Sequence, residues 1–104
     1  MNTTLNSEIF EKILDERARQ DRKWGEQNWP LCVASKGVKR LREDISKRRC
    51  DEAAAETALD WDTILEEEIA EAMGAETVDD AIHELIQAAA VIFATIECLE
   101  RNRE

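Results

Sequence analysis

The sequence predicts an all-α chain, a bundle of about four helices completed by oligomerisation. Three observations carry that expectation. Breakers are scarce: one proline, Pro30, and three glycines, Gly25, Gly37 and Gly74, interrupt 104 residues otherwise rich in Ala, Glu, Leu and Arg. Apolar residues recur in steps of three and four rather than two. Cap signals fall between those periodic stretches. A chain of this length is expected to form one domain, residues 1–104, with residues 1–6 disordered.

The first helix starts at Asn6 or Ser7 and runs to about Trp24, with Ile9, Phe10, Ile13 and Leu14 as its apolar face and Gly25 as its stop. Residues 25–35 read as a loop, because Pro30 disfavours helix at Trp29. A short second helix follows at about 36–48, with Val38, Leu41 and Ile45 on one side and a basic cover. The third begins near Asp51 and ends at Gly74. The fourth starts at Thr77, in the capping pattern T-x-x-D with Asp80, and continues to about Arg101. Its stripe, Val78, Ile82, Leu85, Ala89, Ile92, Ile96 and Leu99, is joined by Ala81, Ala88 and Phe93, so it faces more than one neighbour. A second copy of the chain, in a dimer or tetramer, is expected to cover what one chain leaves open.

Charge narrows the partners. The net charge is −10, and residues 51–100 hold fifteen Asp and Glu with no Lys or Arg. Such a half repels phosphate backbones, which argues against nucleic acid, yet it suits a divalent cation that brings in a phosphate. Cys32, Cys50 and Cys98 are scattered and odd in number, which excludes a disulfide framework and a zinc site and leaves buried free thiols. No run of consecutive apolar residues is long enough to cross a bilayer, and MNTTLNSE lacks the features of a secretion signal. No membrane partner and a cytoplasmic location are therefore expected.

One residue breaks the pattern. The seam of the third helix reads Ala54, Ala58, Trp61, Leu65, Glu68, Ala72, which puts a carboxylate where an apolar side chain belongs. An unpaired charge in a helix–helix core costs several kcal/mol, so a cation, an arginine or water must offset it. Glu71 shares the face of Glu68, and Glu67 flanks both. On the fourth helix Glu84 and Gln87 repeat the three-residue step. Antiparallel packing would converge these pairs into an oxygen-ligand site, for which Mg2+ is the natural ion and Mn2+ a substitute.

The stretch LEEEIAEA holds EExxE (Glu67, Glu68, Glu71), and HELIQ supplies ExxQ (Glu84, Gln87). This order resembles the EExxE…ExxD signature of the MazG-like all-α nucleoside-triphosphate pyrophosphohydrolases. The upstream segment ERARQDRKWGEQNWP and the phrase W-x-x-I-L-x-E-E at Trp61 are also similar to small phage and bacterial MazG-like proteins. The resemblance implies that Glu68, Glu71 and Glu84, with Gln87 in place of the family's aspartate, hold magnesium on the substrate's phosphates. Asp80 is a substitute for the missing charge. Glu67 would hold a second ion or orient the attacking water, and the reaction would release pyrophosphate and a nucleoside monophosphate. Arg19, Lys23 or the basic run Lys36 to Arg49 would meet the phosphates, although that run also reads as a solvated helix face. Trp24 or Trp29 would stack on the base, Trp61 reads as core, and His83 reads as a surface residue. The rival reading is a catalytically degenerate MazG-like module for oligomerisation or nucleotide sensing.

Overall fold

The computed structural model describes residues 3–103, and every regular element among them is a helix. Four α-helices follow in order: α1 Thr3–Trp24, α2 Lys36–Ala55, α3 Trp61–Met73 and α4 Val78–Arg101. By their contacts the residues divide into two compact units, Met1–Pro30 with Phe93–Glu104, and Leu31–Ile92.

Helix α1 begins at Thr3, earlier than the cap at Asn6 or Ser7 that the sequence suggests. The disorder expected for residues 1–2 lies outside the described residues. Gly25 ends α1 as expected: its φ of 66° lets its N–H donate to the Asp21 carbonyl at 2.7 Å. In this unit Ile9 is buried, while Phe10 and Leu14 stay exposed.

The larger correction falls between α2 and α3. Residues 51–55, expected to open the third helix, instead extend α2 to Ala55, since Ala and Glu favour helix regardless of its neighbour. The chain then turns at Thr57, whose φ of 52° no helix tolerates. Asp60 restarts it, accepting from the Thr63 N–H at 2.8 Å and the Thr63 hydroxyl at 2.6 Å. Such a cap contributes about 1 kcal/mol. Helix α2 has a matching cap, Ser35, which accepts from the Val38 N–H. The expected seam survives only from Trp61 onward: Trp61, Leu65 and Glu68 are half-buried and Ala72 is fully buried, whereas Ala54 and Ala58 are exposed.

Small residues form the interior of the Leu31–Ile92 unit. Helix α2 packs on α3, and the buried side chains are Ser46, Ala70, Ala72, Ala81 and Ala88. Backbones can approach closely where side chains are this small. Helix α4 starts as expected, with the Asp80 N–H donating to the Thr77 hydroxyl at 3.1 Å. Its buried face is narrower than expected, however, and holds the alanines of the widened stripe. Ala81, Glu84 and Ala88 face inward, while the regular stripe of larger residues is left open, Val78 at 76% and Leu99 at 65% exposure. At 24 residues, with a mean hydropathy of 1.5 over 18 of them, α4 is long and apolar enough to cross a bilayer by length and composition. The expectation that no segment reaches that threshold counted only uninterrupted apolar runs. Glu84 and Glu97 interrupt this one.

Candidate metal centre

Three carboxylates predicted from sequence meet in the Leu31–Ile92 unit. Glu68 and Glu71 project from successive turns of α3, and Glu84 comes from the first half of α4. One carboxylate oxygen from each lies within 4.8 Å of the other two. The three-residue step places both α3 side chains on one face, and Glu84 sits between the buried Ala81 and Ala88. Alanine at those positions lets the carboxylates of two helices converge without a bulky side chain between them.

The electrostatics of the cluster are repulsive. Burial first, then the charges of Glu68, Glu67 and Glu84, push the Glu71 carboxyl up to about 7. Glu68 is raised as well, by burial and then by Glu84 and Glu67. One oxygen each of Glu68 and Glu84 is buried without a hydrogen-bond partner. Two orphaned acceptors and a carboxyl that resists ionisation describe a site short of positive charge. Its all-oxygen donor set fits a hard divalent cation, whose opposed ligands span about 4 Å around Mg2+.

Glu67 is close by but differently engaged. It accepts a hydrogen bond from the Cys50 thiol of α2, which pushes that thiol up to about 11. It also shares a hydrogen bond with Glu71. Gln87 departs from the expected ligand set: it is exposed, and its amide nitrogen lies 3.0 Å from Nε2 of His83, one turn earlier on α4. Asp80, the suggested substitute, lines a groove of about 390 Å³ together with Glu71 and Glu84.

Of the substrate residues named from sequence, Arg19, Lys23, Trp24 and Trp29 belong to the other unit. Arg19 is bound by Glu16 on the same helix, and the Lys23 ammonium stands 4.8 Å over the Trp24 ring. Trp24 and Trp29 are exposed, Trp29 at 80%, and border a pocket of about 280 Å³ with Gln27 and Asn28. Trp61 is half-buried, and the three cysteines are free and half-buried rather than fully enclosed.

Sequence reasoning missed two features of this site. Lys47 was one of a long basic run, yet it is the residue of that run that lines the groove with Glu71 and Glu84. Gly74, read only as a helix end, leaves room for Glu43: a methyl group there would collide with the Glu43 carboxylate. The spacing of Lys36, Arg40, Glu43 and Lys47, in steps of four, three and four, marks one face of α2 and was the available signal. What fold and site define together is an all-helical chain with an interhelical carboxylate cluster. No protein-family model, curated protein or solved structure matches it.

Proposed function

We propose that the chain is a magnesium-dependent nucleoside-triphosphate pyrophosphohydrolase of the MazG-like kind, acting in the cytoplasm on the nucleotide pool. One observation carries this reading: Glu68, Glu71 and Glu84 converge from two helices with orphaned oxygens on Glu68 and Glu84. The order EExxE…ExxQ, which resembles the family signature, supports it. Glu68, Glu71 and Glu84 would hold Mg2+, or Mn2+, which supplies charge neutralisation at the phosphates and a more acidic bound water. Glu67 orients the attacking water. As the oxygen of that water bonds to the α-phosphorus, its proton passes to the Glu67 carboxylate, the bond from the α-phosphorus to the α–β bridging oxygen breaks, and pyrophosphate leaves with that electron pair.

A homo-oligomer completes this reading. The open stripe on α4 and the exposed Phe10 and Leu14 of α1 leave more apolar surface than a monomer of this size usually presents. A second copy covers that surface, which also accounts for the apolar length of α4 without a bilayer. Light scattering at micromolar concentration should give a dimer or tetramer, and a stable monomer there would exclude it.

A second reading is favoured by the Gln87–His83 contact, which occupies the amide where the family has a charged ligand. A degenerate scaffold that binds nucleotide without hydrolysing it would have this feature. Pyrophosphate release from a panel of nucleoside triphosphates with Mg2+ decides between the two. Turnover of any one of them supports the enzyme, and background rates across the panel leave the binding module.

A further inference from the structure

We propose that Lys47 of α2 is the phosphate-binding cation of this centre, and that the substrate's polyphosphate chain runs from the carboxylate cluster along α2 toward Arg40 and Lys39. The inference rests on the metal reading above and deepens it. The groove of about 390 Å³ beside the cluster is walled by Glu43, Asp44, Lys47, Glu71, Ala75, Asp80 and Glu84, with Lys47 as its single cation. Lys47 is exposed and, among the described residues, forms no ion pair with any of those carboxylates. Its neighbour Arg49 shows the contrast, since Glu66 binds its guanidinium at 2.6 Å. The ammonium of Lys47 is thus available where a metal-bound anion would lie.

The track continues beyond it. A second groove, of about 460 Å³, shares Glu43 and Ala75 with the first and adds Lys36, Lys39 and Arg40. Lys36 is drawn to Glu76 at 3.9 Å, whereas Lys39 and Arg40 have no ion-pair partner among the described residues. Residues 40 and 47 are about 10 Å apart along the helix axis, a separation that two long cationic side chains bridge over a chain of linked phosphates. Glu43 stands between them, but its carboxylate is lodged against Gly74. A ligand with several linked phosphates fits this track, and a single phosphate fits only the Lys47 end.

Inorganic tripolyphosphate and Mn2+ are suitable probes, read by calorimetry and by the Mn2+ paramagnetic signal. The parent should bind Mn2+ and, with it, tripolyphosphate. Lys47→Gln should keep its Mn2+ affinity within about threefold and lose about tenfold or more in tripolyphosphate affinity, and Lys47→Arg should restore most of it. Arg40→Gln should weaken tripolyphosphate but not orthophosphate. Unchanged tripolyphosphate binding by Lys47→Gln, with Mn2+ still held, overturns the role of Lys47 and leaves the metal centre standing. Loss of Mn2+ binding or of helicity in Lys47→Gln gives Lys47 a structural role and also overturns the proposal. A parent that binds no Mn2+ removes the metal reading and this inference together.

Discussion

Glutamates at two places in this chain stand in opposite settings, those of the first unit beside arginines and those of the second unit's cluster beside one another. In the unit formed by residues 1–30 and 93–104, glutamates lie three residues from arginines, as in Glu16–Arg19 and Glu100–Arg103. The Arg19 hydrogen bond lowers Glu16 to about 2, and Arg103 lowers Glu100. In the Leu31–Ile92 unit, Glu68 and Glu71 meet only other carboxylates and partial burial, and both are raised. Solvent-screened pairs one turn apart stabilise little and report little beyond local sequence. An unpaired cluster between helices opposes folding and persists only where something else gains from it. The proposed metal centre belongs to the second unit for that reason.

The largest effect expected from breaking the contrast is at Glu68. Glu68→Gln should lower pyrophosphate release by about a hundredfold or more, since even removing a residue that supports a metal ligand costs up to that much. The same change should raise the midpoint of thermal unfolding in metal-free buffer, because it removes an uncompensated charge. Glu100→Gln, in the other unit, should change the midpoint and the turnover little. If Glu68→Gln lowers metal-free stability instead, Glu68 has a cationic partner and the cluster is not a metal centre.

Magnesium should act on one unit only. At a hundred times its dissociation constant, an ion that binds the native state adds about 2.7 kcal/mol, an increase in the midpoint of order 10 °C for a chain of this size. Sodium at matched ionic strength should give no such rise, and Glu68→Gln should abolish it. A midpoint indifferent to Mg2+ and Mn2+ in the parent would favour the degenerate scaffold.

Acid should separate the units by sign. Glu71 holds its proton up to about 7 in the folded chain, against 4.5 when unfolded. Its contribution to stability is therefore full below pH 4.5 and is lost as pH rises through 7. Glu100, lowered by Arg103, contributes in the opposite sense: its effect is present above 4.5 and fades in acid, and solvent screening keeps it small. Unfolding midpoints of the metal-free parent should fall between pH 5 and 7, and Glu71→Gln should flatten that slope. Saturating Mg2+ should flatten it too, which tells cluster repulsion from any other titration.

The smallest expected effect sharpens the assignment of Gln87. Gln87→Asp exchanges the His83 contact for a charge one turn from Glu84 and should tighten Mg2+ about threefold to tenfold, with turnover kept or increased. Unchanged Mg2+ affinity would leave Gln87 outside the centre.

Much of the fold was legible because helices declare themselves locally. Apolar steps of three and four, Gly25 with its positive φ and the Thr77 cap depend on residues within one or two turns, and the structure agrees with each. The pairing of Glu68 with Glu71 was legible for the same reason, since a three-residue step fixes a shared face wherever the helix goes. The Asp60–Thr63 cap was equally local and was passed over because the alanine-rich stretch before it hid the break at Thr57.

Sequence by itself determined four helical segments and the side chains able to form a carboxylate cluster. Tertiary structure alone decided which part of α4's broad apolar face is buried, keeping Ala81 and Ala88 inward with Glu84 between them and leaving the larger stripe exposed. It also decided which member of a basic run stands beside Glu71 and Glu84, selecting Lys47 and giving Arg49 to Glu66. The physical reason is that a helix's own hydrogen bonds are satisfied whichever face it buries. The choice of face follows from which faces pack together, and in this unit the buried apolar side chains of α3 and α4 are alanines.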